Sequence, residues 1–168
     1  MITNKVKIRV LTTLLIIACF SSAAQEKKEP IDRILFIFDA SKSMLSKWQS
    51  GKKIDIAKNL LSNMVDSLKD IENLEIGLRV YGHKSSFPPQ DCDDTHLEVN
   101  FLKANNAVDM IKKKLSVIKA RGTTPIARSL EEGAKDLKAA GKARNIVILI
   151  TDGKEECGMD PCTISRFY

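Results

Sequence analysis

The stretch Ile34-Leu35-Phe36-Ile37-Phe38-Asp39-Ala40-Ser41-Lys42-Ser43 decides the fold. Its first five residues are apolar without a break, the pattern of a strand buried on both faces of a parallel sheet; a strand with one wet face would alternate. The next five carry a carboxylate and two hydroxyls at alternate positions, Asp39, Ser41 and Ser43. Polar oxygens at the carboxyl end of a buried strand stand where open α/β sheets place their ligands.

A second run of the same kind lies far along the chain. Asn145 to Ile150 (NIVILI) is apolar on both faces and is followed by Thr151-Asp152-Gly153. Between the two runs the pattern changes period. Ile54, Ala57, Leu60, Leu61, Met64, Val65 and Leu68 recur at helical spacing, which predicts an amphipathic helix over about 52–69. Leu74 to Tyr81 (LEIGLRVY) reads as a strand, and the alternating Thr95 to Phe101 (THLEVNF) as a short edge strand. Val108, Ile111, Leu115 and Ile118 mark a second helix, and Ile126, Leu130, Ala134 and Leu137 a third that begins at Pro125. Strands alternating with helices imply an α/β domain with a mainly parallel central sheet and helices on both faces. The two most apolar strands are expected at its centre, where Asp39 and Asp152 would converge from opposite ends of the sequence.

Oxygen-only ligands suit hard cations: Mg²⁺ first, with Mn²⁺ or Ca²⁺ as alternatives. In an extended loop Asp39, Ser41 and Ser43 share a face, and Thr124, in Gly122-Thr123-Thr124-Pro125, enters the third helix. Such a set brings little negative charge to a dication, so an outside carboxylate is a welcome further ligand. Each element also has a plain structural reading. Serines after a strand satisfy turns, Thr124 before Pro125 fits a helix N-cap, and Asp152-Gly153 is a common turn. Asp-x-Ser-x-Ser alone occurs by chance in about one chain in twenty to thirty of this length. The weight lies in their joint occurrence, in order, at the ends of two buried strands.

With these residues the chain resembles a von Willebrand factor A (vWA) domain. The resemblance runs from about Arg33 to Cys162 and rests on Asp39, Ser41 and Ser43, on Thr124, and on Asp152 within Ile150-Thr151-Asp152-Gly153. It implies a Rossmann-like fold in which those five residues form a metal-ion-dependent adhesion site (MIDAS). The implied partner is a protein offering an Asp or Glu to the metal. Gly77 to His83, Glu156-Cys157 and Asp160-Pro161-Cys162 resemble a subgroup of exported bacterial A-domain proteins. A complete A domain continues beyond the strand that ends before Asp152. On the resemblance the last strand–helix units are missing here, leaving an apolar sheet edge exposed.

The beginning of the chain reads as an export leader. Lys5, Lys7 and Arg9 precede the apolar stretch 10–20, which is shorter than the about 20 residues a membrane span needs. Small residues at Ser22-Ala23-Ala24 put cleavage before Gln25, so the divisions are a signal peptide over 1–24, a charged linker over 25–32 and the vWA domain over 33–168. Ile16-Ile17-Ala18-Cys19 offers the alternative, a lipobox with Cys19 acylated at the cell envelope. The first reading makes the product periplasmic or secreted. It also removes three basic residues and no acidic ones, so the net charge falls from +6 to +3. That charge, with no aromatics interleaved among the lysines, gives no footing for nucleic acid.

Export places the cysteines in an oxidising compartment. Cys92, Cys157 and Cys162 remain after cleavage, and Cys157 and Cys162 are the pair expected to bridge, across Gly158 to Pro161. A zinc site using cysteine with His83 or His96 matches no common zinc module in spacing. Catalysis finds little support: Ser41 stands where a phosphatase of this kind would need a second aspartate, and no histidine or cysteine is placed as base or nucleophile. The sequence reading is thus a non-enzymatic, metal-dependent binding module. The alternatives are a vWA scaffold with a vacant site and, further off, a metal-dependent hydrolase.

Overall fold

A computed structural model describes residues 30–49 and 51–166. The leader, Cys19 and most of the charged linker lie outside the described residues. β1 (Asp32–Asp39) leads through a 3-10 turn (Lys42–Leu45) and a tiny hairpin, β2 (Lys47–Trp48) with β3 (Gly51–Lys52), into α1 (Lys53–Leu68). β4 (Leu74–Tyr81), β5 (Thr95–Lys103), α2 (Ala104–Val117), α3 (Ile126–Ala139), β6 (Arg144–Ile150) and a single-turn α4 (Pro161–Ser165) follow. The sequence places β1, β4, β5 and the three long helices within a few residues of their ends. Asp32, assigned to the linker, already pairs in β1.

The main sheet has the order β5-β4-β1-β6. β1 is parallel to β4 on one side and to β6 on the other, while β5 runs antiparallel to β4. The result is a Rossmann-like, mainly parallel sheet between helices. β1 divides its side chains strictly by period two. Ile34, Phe36 and Phe38 join α1 and α2 through Leu61, Val65, Val108 and Ile111, whereas Leu35 and Ile37 meet Ile126 and Leu137 of α3 on the other face. Gly133 lets α3 settle closely, since a Cβ there would lie 2.9 Å from Leu35 Cδ2. Fully burying side chains of this size contributes on the order of 1.5–3 kcal/mol each, so β1 is the strand the domain is built around.

One expectation is corrected here. β6 is an outer strand among the described residues, not a central one: Ile146 and Val147 are 40% and 42% exposed. An uninterrupted apolar run predicts two covered faces and says nothing about how many neighbours the backbone has; here Arg144 to Val147 are exposed, and only Ile148 to Ile150 are half-buried. Among the described residues the sheet edge foreseen as exposed is open along β6. No helix among the described residues is long and apolar enough to cross a membrane.

Candidate functional site

The site is assembled where three chain segments leave the carboxyl end of the sheet. Beyond β1 the ladder frays into a weave of loops: Ala40 N–H donates to Tyr81 O (2.9 Å), Lys42 N–H to Gly122 O (2.8 Å), Arg121 N–H to Ala40 O (3.0 Å) and Gly122 N–H to Gly82 O (2.8 Å). Gly82 makes this closeness feasible. It has φ +68°, and a Cβ there would lie 2.6 Å from Thr123 O and 2.8 Å from Ser41 Cα. The weave brings the Thr124 segment against the Ser41 segment.

All five residues read from the sequence reach this place. Asp39, Ser41 and Thr124 are buried, Ser43 is half-buried, and Asp152 stands on an exposed loop with its carboxylate largely covered. Ser41 N–H donates to Asp39 Oδ1 (2.7 Å), and the hydroxyls of Ser41 and Ser43 lie 2.9 Å apart. Ser43 Oγ donates to Asp152 Oδ1 at 2.7 Å, joining residues 109 positions apart. Thr124 belongs to the same group: a Cβ on Gly153 would sit 3.6 Å from Ser43 Oγ and 3.8 Å from Thr124 Oγ1. The convergence is as expected, but the route is not. The loop after Asp39 does not stay extended; it winds into the 3-10 turn at Lys42, and the two serines approach each other around that turn.

Two plain readings of these residues lose ground. Ser41 precedes the 3-10 turn and Thr124 precedes Pro125, yet neither end has a side-chain cap. At α3 a different segment takes over: Glu155 Oε2 accepts the Ala127 N–H (2.7 Å), and Glu156 Oε2 accepts the Thr124 N–H (3.0 Å). The Thr124 hydroxyl is thereby spared that duty.

Four residues absent from the sequence-derived set complete the surroundings. Thr151 Oγ1 donates to Asp39 Oδ2 at 2.7 Å. Lys53, the first residue of α1, places Nζ 2.5 Å from Asp152 Oδ2. Glu155 and Glu156 hold the Thr124 loop as described. Thr151 and Glu156 lie inside motifs singled out in the sequence and Glu155 beside one; Lys53 carried no signal, since nothing local tells where a long flexible side chain will reach.

The electrostatics centre on Asp39. Burial pushes its carboxyl above the ordinary range, against the hydrogen bonds from Ser41 and Thr151 that favour the charged form. Tyr81, buried beside it, is also pushed up, by burial and by the Asp39 charge. Its hydroxyl is near enough to feel Asp39 and Thr151 but has no hydrogen-bond partner of normal geometry. A buried carboxylate short of positive charge, ringed by neutral hydroxyls, suits a hard dication. Among the described residues no cluster of three His, Cys, Asp or Glu side chains could hold a metal; this set differs in relying on hydroxyls.

The cysteine expectation is corrected. Cys157 pairs with Cys92, 65 residues away, with Cα atoms 5.7 Å apart, and Cys162 is free and exposed. Cys162 lies instead in α4, which Asp160 caps by accepting from the N–H groups of Cys162 and Thr163. Nearness in sequence does not fix pairing.

Comparison with known proteins agrees with this architecture. Residues 34–166 match the sequence profile of the von Willebrand factor type A domain, and the chain belongs to that family. The Bacillus subtilis (strain 168) protein YwmD is 33% identical over 153 residues, covering 88% of this chain and 66% of YwmD. YwmC of the same organism is 30% identical over 146 residues, covering 84% of this chain and 62% of YwmC. The chain therefore spans somewhat under two thirds of the length of these relatives. Among solved structures, the PilB minor pilin from Streptococcus sanguinis superposes with a TM-score of 0.62 at 20% identity, over 76% of this chain and 31% of the pilin. The pilus adhesin SpaC from Lactobacillus rhamnosus GG gives 0.61 at 22% identity, over 78% of this chain and 16% of SpaC. The SpRpn10 VWA domain gives 0.60 at 12% identity, over 75% of this chain and 62% of that one. At these identities the structural likenesses speak for the fold.

Proposed function

We propose that this domain is a non-enzymatic binding module in which Asp39, Ser41, Ser43, Thr124 and Asp152 hold a divalent cation, Mg²⁺ or Mn²⁺, that captures an Asp or Glu side chain of a protein partner. The single observation carrying this reading is the 2.7 Å bond from Ser43 to Asp152, which ties the oxygen donors at the ends of two parallel strands into one cluster. The hydroxyls and the Asp39 and Asp152 carboxylates serve as hard donors. A bound dication would supply a strong positive point for an incoming carboxylate. Thr151 and Ser41 orient Asp39 from either side, and Ser43 orients Asp152.

Family membership supports protein binding, and neighbours named as pilins and pilus adhesins support a role outside the cytoplasm. Delivery would rest on the leader over 1–24, giving a periplasmic or secreted product, or on a lipid anchor at Cys19.

A second reading is favoured by one contact. The Lys53 ammonium, 2.5 Å from Asp152 Oδ2, supplies a built-in cation at the rim, as a vWA scaffold with no metal would need. Thermal unfolding of the whole chain in excess Mn²⁺ and then in chelator separates the two. A cooperative transition raised by metal, and no longer raised in Asp39→Ala, is expected, since ligands of the native state stabilise by mass action. An identical transition in both conditions would hand the case to the metal-free scaffold.

A further inference from the structure

The segment Glu155-Glu156-Cys157 is fastened at both ends to different things. On one side its carboxylates hold the loop that presents Thr124, through the Thr124 N–H (3.0 Å) and the Ala127 N–H (2.7 Å), and Glu156 N–H returns a bond to Thr124 O (3.1 Å). On the other side Cys157 is bonded to Cys92, and Gln90 Nε2 donates to Glu156 O (2.6 Å). Glu155 Oε1 also accepts the Cys157 N–H (2.7 Å), so the carboxylate and the sulfur are set by the same turn. Asp152 lies three residues before Glu155 on this strand-to-helix connection, which has no regular secondary structure between β6 and α4. The segment is exposed or half-buried throughout, so packing contributes little to its position.

We infer that Cys92–Cys157 governs the cation affinity of the site through Glu155 and Glu156, which act as positioning residues for Thr124, so that partner capture is strong when this disulfide is closed and weak when a dithiol reductant opens it. The inference rests on the metal-binding reading of the preceding subsection. The redox step is simple exchange: the dithiol gives up two electrons and two protons and becomes a disulfide, and Cys92 and Cys157 become thiols. Opening the bond releases a closure spanning 65 residues. Removing such a link gives back roughly 2–4 kcal/mol of chain freedom in the unfolded ensemble and frees the local segment in the native one.

The test uses the whole chain with Cys19→Ser and Cys162→Ser, which leaves one pair of cysteines. Mn²⁺ affinity is measured by calorimetry before and after dithiothreitol, with thiol counting to confirm that Cys92 and Cys157 are both reduced. Affinity is expected to fall at least tenfold on reduction while the cooperative unfolding transition persists. Glu156→Ala is expected to reproduce the loss in the oxidised protein, and Glu156→Gln, which keeps an acceptor oxygen, to restore most of it. Equal affinity in the oxidised and reduced forms overturns the inference. Amide exchange at Thr124 and Ala127 separates the two levels of the argument. Exchange that does not quicken on reduction overturns the tether even where no Mn²⁺ binds, whereas absence of Mn²⁺ binding with quickened exchange overturns the metal reading alone.

Discussion

Thr124 and Glu156 hold each other through two reciprocal bonds: the Thr124 N–H donates to Glu156 Oε2, and the Glu156 N–H donates to Thr124 O. Both use the backbone of Thr124 and leave its hydroxyl out. Thr124→Val keeps the shape and both bonds, so the unfolding transition in chelator should move by the equivalent of about 0.5 kcal/mol at most. Mn²⁺ affinity in the same variant should fall about tenfold or more, equivalent to about 1.4 kcal/mol. A calorimetric titration showing unchanged affinity would remove Thr124 from the ligand set.

On the proposed reading Lys53 competes with the cation for Asp152. Its ammonium is partly exposed, so the pair is worth about 1 kcal/mol at most. Lys53→Met frees the carboxylate while keeping most of the side chain's length, and Mg²⁺ or Mn²⁺ should bind up to roughly fivefold more tightly. Weaker binding would mean that Lys53 holds Asp152 in place for the metal rather than against it.

Gly82 is the residue on which the loop weave depends. Alanine there combines a positive φ with a Cβ 2.6 Å from Thr123 O, a backbone atom that cannot step aside alone. Gly82→Ala should cost about 2–4 kcal/mol, read as a lowered denaturation midpoint in urea, and should weaken the metal-induced rise in melting temperature as well. A full metal response in this variant would uncouple the weave from the site.

The pair of buried Arg79 and half-buried Asp136 locks α3 to β4, with Nη2 and Nε of Arg79 at 2.6 and 2.8 Å from Asp136 Oδ2. Burial raises the Asp136 carboxyl above its ordinary 3.8 despite the guanidinium beside it. The sign follows: a raised folded value means that the stabilising share of Asp136 is fully present below 3.8 and is lost as pH rises through the folded value. At neutral pH, then, the pair contributes little beyond satisfying Arg79. Asp136→Leu alone should cost about 3–5 kcal/mol by stranding the guanidinium, while Arg79→Met with Asp136→Leu should be close to neutral. Denaturant titrations of both variants check this, and a double variant as unstable as the single would refute it.

How much of this was legible beforehand depended on the range of the signal. β1 and the buried stripe of α1, Ile54, Ala57, Leu61 and Val65, follow from periodicity, which is local. Leu60 carries the same apolar signature yet is 54% exposed, lining an open cavity with Ile150 of β6. The rank of β6 in the sheet, the partner of Cys157 and the reach of Lys53 are all set by contacts between distant segments. No local pattern encodes them. The five candidate ligands were readable because each stands at the end of a strand or the start of a helix, where element boundaries alone fix position.

The register of β1 has a consequence for timing. β1 pairs with β4 across 42 residues and with β6 across 112, as the bonds Arg33–Glu75 and Arg144–Asp32 mark. Closing the longer loop from an open chain costs about 1 kcal/mol more, so the β1, α1, β4 and β5 half has the head start both in entropy and in order of synthesis. Asp39, Ser41 and Ser43 are then in place before Asp152 arrives on β6. A half-formed domain offers one carboxylate where the finished one offers two, and on the proposed reading it would have little hold on a cation. On the proposed metal-binding reading, cation uptake would wait for the last stage of folding, and the ion would be a marker of completion.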